Sequence, residues 1–277
     1  MRIAITGASG QLGSVLQVAL APQHEIIALG HRDIELSSPA CIEQLASTRA
    51  ELVIHPAAMT NVDGCARDPD QAYRINGLGT RYVALACRKL AAPLVYVSTN
   101  EVFDGSGTRP YYEYDQTNPI NAYAWSKWVG EQAVRELLEE HYIARVAWLY
   151  GGERNFIRTI LRLVKERPSL RVVSDELGSP TYAPDVAQAI AQLIKTCCYG
   201  TYHLVNQGSC SRYELAAEAL RLAGYADFPL EAIKLADYKR DSRVPPYTPL
   251  HNIAAADLGI RLRDWQVALS DMMKNEE

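Results

Sequence analysis

With 277 residues, 48% of them hydrophobic, and a formal charge of −4, the chain can bury a large core as one big domain or two small ones. Lys+Arg (28) and Asp+Glu (32) are mixed along it without single-sign blocks, which argues against the basic surplus of a nucleic-acid binder. No apolar run approaches the roughly 18 residues that cross a bilayer, so no membrane partner is expected.

Arg2–Thr6 is apolar for too few residues before Gly7 to be a signal-peptide core, and it reads as a strand. Strand-like runs follow at Glu25–Leu29, Leu52–His55, Leu94–Ser98 and Ala144–Leu149. Between them lie segments of helical period, such as Gln11–Leu20, Asp70–Leu90 and Tyr123–His141. Continuous apolar strands alternating with helices imply a parallel sheet covered on both faces, and right-handed crossovers make it doubly wound. Past Tyr150 the segments shorten, and Pro168, Pro180, Pro184, Pro229, Pro245, Pro246 and Pro249 interrupt them. The expectation is a Rossmann-type α/β domain over residues 1–150 and a smaller α+β substrate lobe over 151–277, with parts of 182–204 able to return to the sheet.

Cysteines 41, 65, 87, 197, 198 and 210 form no C-x-x-C pair and no zinc-finger spacing with histidine. Reduced thiols in a cytoplasmic protein are the simplest reading, with the Cys197-Cys198 pair as bystanders.

The first strand runs into Thr6-Gly7-Ala8-Ser9-Gly10-Gln11-Leu12-Gly13, a G-x-x-G-x-x-G turn opening a helix. Glycines let the backbone turn sharply and approach a pyrophosphate without intervening Cβ atoms, and the helix N-terminus adds N–H groups and a partial positive charge. Three glycines alone are a weak signal; between a strand and a helix they meet the context that dinucleotide binding requires. Gly30-His31-Arg32-Asp33 follows the second strand. An acid at the strand end would bond the NAD ribose, whereas His31 and Arg32 there favour the 2′-phosphate of NADP(H), with NAD(H) still open.

Tyr123 and Lys127 stand four residues apart, on one face of a helix. A phenol near pKa ~10 is a poor acid at neutral pH, and a neighbouring ammonium lowers that value, so the pair can pass a proton to or from a carbonyl oxygen. Tyr-x-x-x-Lys is common by chance. What gives it weight is its order in the chain, after the glycine turn, Ala57-Ala58 and Ser98-Thr99, all at carboxyl ends of strands, where ligands bind.

These landmarks resemble the extended short-chain dehydrogenase/reductase family. The likeness continues through Ser98–Gly105, Pro119–Tyr123, Trp148-Leu149-Tyr150, Asn155-Phe156, Gly178–Thr181, Pro245-x-Tyr247-Thr248-x-Leu250 and Asp264-Trp265, nearly the full length. It implies an NAD(P)H-dependent reductase acting on the 4-keto group of a nucleotide-linked 6-deoxy sugar. By that resemblance Tyr123 donates the proton, Lys127 lowers its pKa and holds the nicotinamide ribose, and Thr99 bonds the substrate carbonyl. Gly7, Gly10, Gln11, Leu12, Gly13, His31, Arg32, Ala57, Ala58 and Asn76 would line the cofactor site. Glu101, Trp148, Asn155, Thr181 and Tyr182 would meet the substrate, although Trp148 can equally be a core residue ending a strand.

Two departures matter. The 4-keto reductases of this family carry Asp-Tyr after the Thr, where this chain has Asn100-Glu101. Some members also carry a glutamate in the first helix that serves a metal-linked dimer; Val15 and its neighbours supply none, so no metal is expected and monomer or homodimer stays open. Thr99-Asn100-Glu101 also resembles the Thr-Asp-Glu of nucleotide-sugar 4,6-dehydratases, which keeps dehydratase or epimerase as an alternative, but an amide at 100 cannot act as an acid. A third reading is a non-catalytic NADP-binding subunit like the regulatory β-subunit of methionine adenosyltransferase, which keeps the same Tyr and Lys.

Overall fold

Strands that are apolar throughout must be covered on both faces, and that requirement orders the molecule. The structure, a computed structural model, describes residues 1–153 and 155–274. Six strands form one parallel sheet: β1 (Arg2–Thr6), β2 (Glu25–Leu29), β3 (Leu52–His55), β4 (Leu94–Thr99), β5 (His141–Val146) and β6 (Gly200–His203). Their order is β6-β5-β4-β3-β1-β2, and every pairing is parallel. The chain leaves β1 for β2 on one side and then crosses to β3 on the other, so the switch point lies between β1 and β3.

Alternate residues of each strand feed two cores. Ile3, Ile5, Val95, Val97 and Ala144 pack with α1 (Gln11–Leu20), while Ala4, Val53, Leu94, Tyr96 and Ile143 pack beneath α2 (Cys41–Ser47) and α3 (Gly79–Leu90). Each fully buried Ile or Leu there stabilises the fold by roughly 1.5–3 kcal/mol relative to exposure. α4 (Ala122–Leu137) lies on the second face, started by Asn121, whose Oδ1 accepts the Ala124 N–H at 2.8 Å. Its buried stripe includes the small residues Ala124, Ser126, Gly130 and Ala133. That smallness lets the Tyr96 hydroxyl donate to the Lys127 carbonyl at 3.0 Å, and a Cβ on Gly130 would collide with it.

Three expected boundaries move. The helix expected to reach His141 stops at Leu137, because Leu138 turns extended and its carbonyl meets His141 Nδ1 at 2.7 Å. The fifth strand therefore starts at His141 and ends at Val146, not Leu149, since the backbone turns out at Trp148 with φ +41°. The expected helix Asp70–Leu90 is three pieces: Pro69–Ala72, a π turn at Tyr73–Leu78, and α3.

Beyond Tyr150 the chain builds from α5 (Phe156–Glu166), α6 (Ala183–Leu193), α7 (Arg212–Leu222) and α8 (Trp265–Lys274), joined by paired strands mostly two residues long. α6 packs on α1 and β6 pairs with β5, so residues 183–203 lie in the sheet layer. α5, α7 and α8 gather a separate core around Tyr150, Leu215, Trp265 and Leu269.

Candidate active site

The glycine turn sits at the switch point. Gly7 has φ +59°, and a Cβ there would lie 2.8 Å from Ala57 Cα, so the turn and the end of β3 touch backbone to backbone. A Cβ on Gly13 would strike the Gly7 carbonyl. Gly10 heads α1 with extended backbone and no side-chain cap, leaving the first helical amides of Gln11, Leu12 and Gly13 for another acceptor. Turn and helix thus keep a shape that suits a pyrophosphate. Ala57 and Ala58 follow β3 on the same edge. The Gln11 side chain lies against Gly152. His31, Arg32 and Asp33 are all exposed beyond β2, with Asp33 accepting the Gly30 N–H at 2.8 Å.

Beneath the turn runs a buried polar network. Thr6 Oγ1 meets His55 Nδ1 at 2.6 Å, and His55 Nε2 meets Thr80 Oγ1 at 3.2 Å. Thr80 donates in turn to the Asn76 carbonyl at 2.6 Å. Burial, with the charge of Lys127 adding to it, holds His55 neutral, its pKa down at about 3. The π turn places Asn76 inward: Oδ1 accepts the Met59 N–H at 2.8 Å, and Nδ2 donates to Ser126 Oγ at 2.9 Å and to the Met59 carbonyl at 3.1 Å. Ser126 passes the chain on to the Tyr123 carbonyl at 2.7 Å. Asn76 therefore ties the floor of the site to the helix that carries Tyr123.

Tyr123, Lys127, Thr99 and Glu101 come together where β4 ends and α4 begins. Thr99 Oγ1 accepts the Glu101 N–H at 3.2 Å. Glu101 Oε2 accepts from Asn121 Nδ2 at 2.7 Å, and burial raises its pKa, opposed by that hydrogen bond. Burial also raises the Tyr123 phenol, with the Glu101 charge adding to it and a hydrogen bond with Thr99 opposing. In the ligand-free chain the Lys127 ammonium stands 4.2 Å over the Tyr96 ring, and burial pulls its own pKa down to about 7. Burial thus favours the uncharged form of both side chains.

The far wall is irregular. Trp148 is half-buried, with Gly178 against its indole and the Arg212 guanidinium 3.6 Å from its ring centroid. Tyr182 stacks on Tyr150 with centroids 5.5 Å apart. Thr181 is fully buried, and its hydroxyl donates to the Ser179 carbonyl at 3.0 Å. Asn155 caps α5, accepting the Arg158 N–H at 3.0 Å and donating to Gly152 O at 2.7 Å. Of the expected substrate residues, Trp148 and Glu101 keep side chains suited to a ligand, whereas the polar groups of Asn155 and Thr181 bond within the protein. Sequence reasoning missed Asn121, which bridges Glu101 to the start of α4; Asn three residues ahead of Ala124 was a readable capping signal. It also missed Asn100 Nδ2, which donates to the buried Thr248 Oγ1 at 2.6 Å, a pairing that 148 residues of separation conceal.

Among the described residues no three or more His, Cys, Asp and Glu gather to hold a metal, and no helix is long and apolar enough to cross a membrane. A parallel sheet with a glycine-lined turn at its switch point and a Tyr–Lys pair on the adjoining helix defines a Rossmann-type fold of the short-chain dehydrogenase/reductase class. Within that class the chain belongs to the RmlD substrate binding domain family, which matches residues 1–277. It is 36% identical to the spore coat polysaccharide biosynthesis protein SpsK of Bacillus subtilis, covering 99% of this chain and 97% of that one. The dTDP-4-dehydrorhamnose reductase of Escherichia coli is 34% identical over the same shares of the two chains. A crystal structure of dTDP-4-dehydrorhamnose reductase from Bacillus anthracis in complex with NADP superposes with a TM-score of 0.94, at 36% identity and 99% coverage of both chains.

Proposed function

We propose that the chain reduces the 4-keto group of a dTDP-linked 6-deoxy sugar with NADPH, as its dTDP-4-dehydrorhamnose reductase relatives are named for doing. The observation that carries this is the convergence of Thr99 at the end of β4 with Tyr123 and Lys127 on α4, at the sheet edge where the glycine turn opens α1. Gly7, Gly10, Gln11, Leu12 and Gly13 would hold the pyrophosphate, His31 and Arg32 the 2′-phosphate, and Ala57, Ala58 and Asn76 the nicotinamide end. NADPH is favoured, with NADH possible. When bound, the cofactor supplies the hydride for the sugar's C4.

Thr99 hydrogen-bonds the carbonyl oxygen and orients it toward Tyr123. As negative charge builds on that oxygen, Tyr123 gives up its phenolic proton, and Lys127 stabilises the phenolate left behind. Lys127 also holds the ribose. Glu101 and Trp148 meet the sugar, and Asn155, Thr181 and Tyr182 shape the wall behind it. In this reading residues 1–150, joined by part of 182–204, form the cofactor lobe and the rest of 151–277 the substrate lobe; Arg154 and residues 275–277 of that lobe lie outside the described residues. All six cysteines are unpaired, which supports a cytoplasmic site of action.

The amide of Asn100 stands against the dehydratase alternative, because it supplies no acid where that chemistry needs one. The deciding assay follows loss of NADPH absorbance with 4-keto-6-deoxy nucleotide sugars. Turnover is expected with dTDP-4-dehydrorhamnose. Tight NADPH binding with no oxidation on any such sugar would return the regulatory reading.

A further inference from the structure

We propose that Arg212, pinned by Glu176, is a positioning residue that fixes the Trp148 indole as a wall of the sugar pocket. The role of Trp148 as that wall rests on the function proposed above; the link between Arg212 and Trp148 rests on geometry alone.

Trp148 is a bulky residue with φ +41°, in the left-handed region that favours glycine. The other non-glycine residues with positive φ are Arg49, Ala91 and Cys197, each one to four residues past the end of a helix, where such a turn is ordinary. Trp148 instead follows β5, with no helix end before it. A strained conformation persists only where its surroundings over-determine it. Three contacts do so. The Thr181 N–H donates to the Trp148 carbonyl at 3.3 Å. Gly178 lies so close that a Cβ there would come within 2.5 Å of Cε2 and 2.7 Å of Cζ2 of the indole. The Arg212 guanidinium stands 3.6 Å from the ring centroid, within the range of a strong cation–π contact.

Arg212 is itself held in place. Its Nε and Nη2 both lie 3.1 Å from Glu176 Oε1, and its backbone N–H donates to the Glu176 carbonyl at 3.2 Å. Glu176 is buried, so this ion pair is little screened by solvent. Phe156 flanks the guanidinium at 5.3 Å. A planar guanidinium can stack and pair at once, which an ammonium on a flexible stem cannot do as well. The arrangement runs from Glu176 through Arg212 to Trp148. It spans the N-terminus of α7 and the turn after β5, two segments that share no regular hydrogen-bonded ladder.

The test compares the intact chain with Arg212→Met, Arg212→Lys and Gly178→Ala. Trp148 emission is read as the difference between each protein and its Trp148→Phe counterpart, because Trp125, Trp128 and Trp265 also emit. Arg212→Met should alter that difference spectrum and raise the KM for the nucleotide sugar about tenfold, with kcat less affected and NADPH affinity unchanged. Arg212→Lys should fall between the two, and it also serves if Arg212→Met does not fold. Gly178→Ala, pressing a Cβ on the ring, should reproduce both effects with Arg212 present. Unchanged Trp148 emission and KM in Arg212→Met would overturn the proposal. So would a parallel loss of NADPH affinity, which marks general loosening. If no 4-keto sugar is turned over by the intact chain, the function is wrong, and the emission spectra still decide whether Arg212 sets the indole.

Discussion

Tyr123 and Lys127 stand on a sixteen-residue helix, capped by Asn121 and packed on the parallel sheet. Trp148 sits in a left-handed turn between β5 and a strand only two residues long. The floor is held by side-chain bonds between regular elements packed on one another: the Thr6–His55–Thr80 chain, Asn76 to Ser126, and Tyr96 to the Lys127 carbonyl. The wall is held by side-chain pairings between distant segments, such as Asn100 with Thr248 and Arg212 with Glu176. Groups that move a proton must keep their geometry through every turnover, and a helix on a sheet supplies that. Groups that select a sugar sit in short turns that can differ between proteins without disturbing the sheet. Substitutions in the floor should therefore abolish turnover or stability, and those at the rim should alter selectivity.

The largest expected effect is on the floor. Tyr123→Phe removes the proposed proton donor and keeps the ring, so the fold and NADPH affinity should persist. The chemical step should slow by about 10²–10⁴-fold in single-turnover measurements. Thr99→Val should cost less, because it deletes an orienting hydrogen bond and no proton transfer. Near-normal turnover in Tyr123→Phe would move the proton donor elsewhere, with Glu101 the next candidate.

About two turns along the same helix from Tyr123, Glu131 accepts from Arg145 Nε at 2.9 Å and Nη2 at 2.8 Å, and from Ser98 Oγ at 2.6 Å. Burial would raise its carboxyl, but the Arg145 charge and these hydrogen bonds outweigh that and hold it lowered. Glu131→Ala leaves a buried guanidinium without its partner and should cost about 3–5 kcal/mol in denaturant unfolding. A loss under about 1 kcal/mol would mean that α4 is fixed by packing alone, and the distinction drawn between floor and wall would fail.

Lys127 sharpens the comparison, because function and stability pull against each other there. Burial holds its folded pKa at about 7, well below the value near 10.4 of an unfolded lysine. Below about pH 7 both states carry the proton, and the fold bears the full cost of the buried charge. As the pH rises from there toward 10, the unfolded chain binds a proton that the folded one has released, so stability climbs. Lys127→Met should therefore raise the unfolding midpoint of the ligand-free protein, by roughly 2–4 °C for each kcal/mol recovered. The gain should be larger near pH 6 than near pH 9, while turnover falls and NADPH binding weakens. An equal gain at both pH values would show that the ammonium is not what the fold tolerates here.

How much of this was readable beforehand follows the same division. The glycine turn, the strands up to Leu94 and the Tyr–Lys spacing are local patterns, and the structure keeps them where the sequence indicates. The direction of the Tyr123 shift was not readable, because it depends first on how deeply the fold buries the phenol and then on the Glu101 charge beside it. The end of the fifth strand was misjudged because Ala147-Trp148-Leu149 continues the apolar run, and only the backbone shows the turn at Trp148. Arg212 and Glu176 look like ordinary surface charges in the sequence; what joins them is the antiparallel pairing of Leu177–Gly178 with Cys210–Ser211.

The smallest expected effect lies at the rim, where His31 and Arg32 extend beyond β2. Both are exposed and, among the described residues, make no hydrogen bond or ion pair beyond the weak pull of the His31 charge on Glu35, so neither should matter to the fold. Their proposed task is to meet the 2′-phosphate, which NADH lacks. A base paired with a phosphate near the surface is screened, so one pair is worth on the order of 1 kcal/mol. The double substitution His31→Asp with Arg32→Ala removes two attractions and adds one carboxylate where the 2′-phosphate would sit. NADPH should then bind about tenfold more weakly, a change of ~1.4 kcal/mol, while NADH is unaffected or gains from a hydroxyl–carboxylate bond. Titrating both cofactors against both proteins, at two salt concentrations, measures this. The preference for NADPH in the unmodified protein should shrink as salt rises. Equal affinities for the two cofactors in the unmodified protein would remove His31 and Arg32 from the site, leaving cofactor choice to the turn itself.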